Sequence, residues 1–192
     1  PTCSATMRST LMMPSSFFFH QAAEIGLNPS QFLTYIIRTS IAERTSDFKS
    51  LGKLELMLKK LDAQVQELKK GQSEKIAVAV ILGGYSSERH ISVESGRNIY
   101  EKLSSSNKYE PVPVFLTGDE NDYQLFQIPV NLLLKDNADD IKEKIVHFKR
   151  HEVVSEIMNQ CETITSTYTF KQNVLEPREL SFDQLASLVD FV

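Results

Sequence analysis

A chain of 192 residues has room for one ordinary domain, or for one domain and part of another. Its 41% hydrophobic content and net charge of -4 exclude a disordered tail, and with no clustered Lys and Arg, nucleic acid is not an expected partner. Cys3 and Cys161 give neither a disulfide framework nor metal-ligand spacing, and no apolar run nears the ~20 residues that cross a bilayer; a reducing, cytoplasmic setting without a membrane partner is expected.

Residues 1 to 15 are polar and broken by Pro14, and read as a loop. Ser15 or Ser16 can cap a short helix, FFFHQAAEI, that stops at Gly26. Asn28 then caps a second helix with Pro29 at its first position and an apolar face of Phe32, Leu33, Ile36, Ile37 and Ile41. Leu54, Leu58, Leu61, Val65 and Leu68 follow at spacings of four and three, which predicts a long amphipathic helix, read as a linker packed on a neighbouring domain. Gly71, Gln72 and Ser73 end it and mark a boundary.

The clearest chemistry lies in residues 75–97, KIAVAVILGGYSSERHISVESGR. Ile76 to Leu82 reads as a central parallel strand buried on both faces. Gly83 and Gly84 allow a tight turn and close backbone approach to a ligand. Ile91, Val93 to Ser95, Ile99, Tyr100 and Leu103 predict a helix. The turn thus sits at the carboxyl end of a strand and the start of a helix, where unpaired amides favour an anion and ligands bind in open α/β sheets. Neither GxGxxG nor GxxxxGK[ST] is present, so nucleotide binding at this turn is not expected.

Tyr109 to Leu116 predicts a second strand, placed near a sheet edge because Pro111 and Pro113 face one way along it. Thr117 to Asp122 is a polar turn and YQLFQI a third strand. Residues 129–160 are helical in character, as one helix or two. Lys149, Arg150 and His151 read as a wet helix surface, and His147 and His151, four apart, have the spacing to share a metal but read as a solvated face. Glu162 to Glu179 has no clear period; ITSTYTF is strand-like and NVLEPREL loop-like. SFDQLASL reads as a helix capped by Ser181, and VDFV as the start of another strand. The expected fold class is α/β, an open and mainly parallel sheet preceded by a helical segment.

The string ILGGYSSERHISVESGRNIYEKL, followed by KYEPVPVFLTG, closely resembles the amino-terminal domain of D-alanine:D-alanine ligases, of the ATP-grasp superfamily. The resemblance is strong over residues 75–117 and looser to Val192. It implies that the Glu88 carboxylate holds the ammonium of a first D-alanine on a loop formed by Gly83 and Gly84. His90 stands where the family often has an acid. The segment SSFFFHQAAEIGLNPSQFLTYIIRTSIAER resembles the carboxyl-terminal end of the same ligases, where a serine and the next amide bind the carboxylate of the second D-alanine; Ser16 and Phe17 are the matching positions.

An end-of-ligase segment therefore precedes a start-of-ligase segment. Together with Pro1 in place of Met and the half-strand at Val192, this order reads as the junction of two ligase-like units cut from a longer chain. Residues 1–45 would close one unit, 46–74 would form the linker, and 75–192 would open the next. Glu88 and Ser16 would then serve different sites. By resemblance the function is part of an ATP-dependent carboxylate–amine ligase that makes D-alanyl-D-alanine or a similar dipeptide for peptidoglycan. ATP and magnesium would be held by the remaining domains of the full-length protein, with no cofactor and no metal or catalytic residue expected in this chain alone. Partners would be the D-amino acid, those other domains and a second copy as a homodimer. The alternatives are a non-catalytic module that associates through the 51–70 helix and an unrelated nucleotide-binding α/β protein.

Overall fold

The computed structural model describes residues 17–45, 51–70, 75–106, 108–135, 137–169 and 174–192. The loop at 1–15, the Ser15 or Ser16 cap and the boundary at Gly71 to Ser73 lie outside the described residues. The first described elements are helices α1 (Phe17–Glu24), α2 (Pro29–Thr45) and α3 (Leu51–Lys70). Gly26, at φ 89°, turns the chain after α1. Asn28 caps α2 as its sequence implies: its side-chain oxygen accepts from the Gln31 amide at 2.9 Å, and Gln31 Oε1 accepts from the Asn28 amide at 2.9 Å.

The apolar seam of α3 is partly used within the chain. Val65 is buried with Ala22, Leu27 and Tyr168, while Leu54, Leu58 and Leu61 are half-buried. Arg38 of α2 and Asp62 of α3 form a two-point ion pair, with N···O distances of 2.6 and 3.3 Å. Leu68, expected in the seam, is 38% exposed.

Strand β1 (Ile76–Gly83) leads through the glycine turn into α4 (Arg89–Ser104), which crosses over to β2 (Tyr109–Gly118). β1 and β2 pair in parallel, from Ile76 opposite Tyr109 to Gly83 opposite Leu116. β3 (Tyr123–Gln127) and β4 (Arg178–Leu180) extend the sheet in the order β1-β2-β3-β4, both pairings antiparallel. The fold is α/β, but the sheet is mixed where a mainly parallel one is expected from the sequence. Only residues 119–122 join β2 to β3, and a parallel return needs a crossover of about a dozen residues. The Asp119 carboxylate shapes that turn by accepting from the amides of Asn121 and Asp122 at 2.8 and 2.9 Å. On the free side of β1, Phe191 bridges Val78 in parallel, the expected strand start at VDFV.

β2 is internal, not an edge. The prolines are tolerated because pairing with β3 begins at Val114, beyond both of them. Pro113 still contributes its carbonyl, which accepts from the Ile128 amide at 3.1 Å.

The stretch 129–160 forms three helices, α5 (Val130–Leu133), α6 (Ala138–Val146) and α7 (Glu152–Gln160). His147 and His151 straddle the break between α6 and α7, so they share no helical face, and His151 caps α7 by accepting from the Val153 amide. Lys149 and Arg150 lie in that break instead of on a helix; Arg150 donates to the Leu175 carbonyl at 2.6 Å.

The strand-like ITSTYTF is mostly helix, α8 (Glu162–Tyr168). Its threonines fit because their hydroxyls bond carbonyls one turn back, Thr165 to Cys161 and Thr167 to Thr163, and because Ile164 and Tyr168 pack on the amino-terminal helices. Helix α9 (Phe182–Leu188) has a full capping box between Ser181 and Gln184.

Two cores flank the sheet. Val80, Leu82 and Phe115 meet Val93, Tyr100, Leu132, Leu133 and Ile141 on one face. Ala79, Val114 and Leu125 meet Leu180 and Leu185 on the other. Ile81 is 39% exposed, so β1 is not covered on both faces throughout. Ile91 and Ile99 also point outward from α4, whose inner face is Val93, Gly96 and Tyr100.

Candidate substrate loop

The turn from Gly83 to Glu88 stands at the carboxyl ends of β1 and β2. Both glycines adopt left-handed backbone, at φ 92° and 114°. Gly83 has a second reason to lack a side chain: a Cβ there would lie 2.7 Å from both the Leu116 carbonyl oxygen and the Phe115 ring. Its amide donates to Ser92 Oγ at 3.1 Å, and the Gly84 amide to the Leu116 carbonyl at 2.8 Å. These bonds tie the turn to the helix and to the neighbouring strand.

Two of the amides at the helix start are engaged by the turn itself. Glu88 N donates to Ser86 Oγ at 3.2 Å and Arg89 N to the Ser86 carbonyl at 3.3 Å, so the turn satisfies them itself. Glu88 occupies the N-cap position, yet its side chain makes no capping bond. The side chain is exposed, and among the described residues its carboxylate has no hydrogen bond or ion pair.

Every charged neighbour in the next turn is engaged. Arg89 Nε and NH2 donate to the two oxygens of Asp139 at 3.0 and 3.1 Å, while NH1 donates to the Ser86 carbonyl at 3.1 Å. The guanidinium holds the Asp139 carboxyl below the usual carboxylate range, chiefly through those hydrogen bonds, and Arg89 is raised in turn. His90 Nδ1 accepts from the Ala138 amide at 3.2 Å, and Nε2 lies 3.6 Å from Asp139 Oδ2. An accepting Nδ1 leaves the proton of neutral imidazole on Nε2, facing the carboxylate.

Beside the turn is a cleft of about 270 Å³ lined by Gly84, Arg89, Thr117, Asp139 and Lys142, among others. Glu88 and Gly83 do not line this cleft, and Asp139, Lys142 and Thr117 were not legible from the sequence as neighbours of Gly84 and Arg89. The Asn137 cap that starts α6 was a visible signal for that helix, but not for where it docks. Phe17 opens α1, is 71% exposed and does not line this cleft. Ser16 lies outside the described residues.

A larger cavity of about 1010 Å³ lies at the opposite end of the sheet, between the amino-terminal helices and residues such as Lys75, Glu110 and Arg178; it contains no part of the glycine turn. Among the described residues no group of three or more His, Cys, Asp or Glu side chains is placed to hold a metal ion, and no helix is long and apolar enough to cross a membrane.

The family described as D-ala D-ala ligase N-terminus matches residues 77–185. Two curated relatives, the D-alanine--D-alanine ligases of Lactobacillus gasseri and Lactobacillus johnsonii, are each 43% identical over 47 residues, 24% of this chain. That stretch spans 13% of the length of each relative. No solved structure matches the chain.

Proposed function

The chain belongs to the family of D-Ala–D-Ala ligase amino-terminal domains, and on that premise we propose that residues 75–192 are the substrate-binding unit of an ATP-dependent carboxylate–amine ligase. The product would be D-alanyl-D-alanine or a similar dipeptide for peptidoglycan. One observation carries the reading: beside Arg89 and His90, which are engaged with Asp139 and Ala138 of α6, the Glu88 carboxylate has no partner among the described residues. An exposed, unpaired carboxylate at a strand's carboxyl end suits the ammonium of a small amino acid.

With neither GxGxxG nor GxxxxGK[ST] in the sequence, the nucleotide and its magnesium would be held by other domains of a longer protein. In that arrangement this chain binds and orients the first amino acid, and the turn bonds at Gly83, Gly84 and Ser86 keep Glu88 in place before substrate arrives. We read residues 1–45 as the end of a preceding ligase-like unit and α3 as the link between the two. Association through α3 is the weaker reading, because Val65 is already buried against Ala22, Leu27 and Tyr168.

The test is steady-state kinetics on the full-length protein with ATP and D-alanine. Glu88→Gln is expected to raise the KM for the first D-alanine by about 10-fold or more, the scale of one charge-assisted hydrogen bond. A variant with unchanged KM would remove Glu88 from the binding role.

A further inference from the structure

Helix α6 enters the chain fifty residues after the turn, and its first residues meet the turn at three places. Asp139 takes two donors of Arg89. The Ala138 amide, one of the donors a helix start leaves unpaired, is accepted by His90 Nδ1 at 3.2 Å. The same Asp139 carboxylate lies 3.6 Å from His90 Nε2.

The Arg89 side chain also reaches back to the Ser86 carbonyl, two residues before Glu88, with its remaining terminal nitrogen. A guanidinium is planar and presents its donors in a fixed fork, so fixing one edge on Asp139 fixes the direction of the other. Asp139 therefore sets where the guanidinium points, and the guanidinium sets the Ser86 carbonyl. Ser86 in turn receives the amides of Glu88 and Arg89.

We propose that Asp139 is a positioning residue for the substrate loop, acting through Arg89 and Ser86 to hold Glu88 in its binding orientation. The proposal rests on the reading of Glu88 as the ammonium-binding group, and it adds a residue from a distant helix to that site. Asp139 touches no substrate in this scheme. It supplies a template edge against which the arginine is aligned. The exposure of the ion pair, with side chains 32% and 60% accessible, fits a device that supplies geometry more than stability.

Amide hydrogen exchange on the full chain tests the positioning directly. Asp139→Asn is expected to speed exchange across residues 84–89 by about tenfold or more, with exchange at Val80 and Leu82 in β1 unchanged, as for a local opening. Asp139→Glu, which keeps a carboxylate fork, should restore part of the protection. The exchanged pair Arg89→Asp with Asp139→Arg separates positioning from simple tethering. It keeps the ion pair but removes the donor that reaches Ser86, so the turn should stay loose. Protection regained in the exchanged pair, or exchange in the turn that never changes in Asp139→Asn, would overturn the proposal.

Kinetics of the full-length protein separate this idea from the one it rests on. If Asp139→Asn loosens the turn and raises the KM for D-alanine as Glu88→Gln does, both hold. If it loosens the turn while neither variant moves the KM, Asp139 still positions the loop and the ammonium-binding role of Glu88 falls.

Discussion

Val93, Gly96 and Tyr100 hold the inner face of α4 against the sheet by apolar contact, whereas the turn leading into the same helix, Gly83 to Glu88, is held by hydrogen bonds and one ion pair. In the first region the contacts are apolar and buried. Val93 is fully buried, and Gly96 lets the helix approach so closely that a Cβ there would lie 2.7 Å from Leu82 Cβ. In the second region the side chains are accessible and each polar contact competes with water, so each adds little net stability. One region supplies cohesion and the other direction. Substitutions should therefore separate, with stability lost on the inner face and at residues that reach into it, and loop order lost elsewhere in the turn.

Gly83 sharpens the comparison because it belongs to both regions. Its backbone is left-handed, and the space above its Cα is taken by the Phe115 ring and the Leu116 carbonyl of the core strand. Gly83→Ala meets both obstacles, and a cost of about 3 kcal/mol or more is expected from strain and overpacking together. Urea unfolding would measure it. A loss under about 1 kcal/mol would mean that β2 yields easily and that the turn is softer than its contacts imply.

Tyr100 probes the buried region by pH. Burial pushes its phenol up from 10.0 to about 12, helped by the charge of Glu110 and opposed by the nearby Ser104 hydroxyl. The folded state disfavours the phenolate, so the stabilising contribution is complete below pH 10 and is lost as pH rises from 10 through about 12. The shift corresponds to about 3 kcal/mol. Wild-type protein should lose stability over that window, and Tyr100→Phe, whatever its stability at neutral pH, should lose correspondingly less. Equal slopes in the two proteins would place the hydroxyl in contact with water.

What the sequence made legible was local. The apolar run of β1, the glycine turn, the Asn28 cap and the Ser181 capping box each depend on neighbours within a few residues, and each stands where its pattern put it. The misread features depended on distant partners. Pro111 and Pro113 look like edge residues unless one knows that β3 starts pairing only at Val114. The threonine-rich ITSTYTF looks like a strand unless one knows that Tyr168 packs among the amino-terminal helices. Asp139 carries no motif at all, and its place beside Arg89 follows from how α6 docks. The part of the site that sequence exposes is the loop; the part it hides is what aims the loop.

Gly84→Ala gives the smallest expected effect and the cleanest contrast. Gly84 shares the left-handed backbone of its neighbour, at φ 114°, but a Cβ there meets nothing within 4 Å. Only backbone strain opposes the substitution, so a cost of about 1 kcal/mol is expected, well below that at Gly83. The strain has an easier outlet than unfolding. The Gly84 amide would leave the Leu116 carbonyl and the turn would shift, while the core beneath stays closed. Urea unfolding together with hydrogen exchange would then report a small global loss and a large local one, confined to residues 84–88. A loss equal to that of Gly83→Ala would show that the turn and the core open as one unit, and the division between cohesion and direction would not apply to this helix.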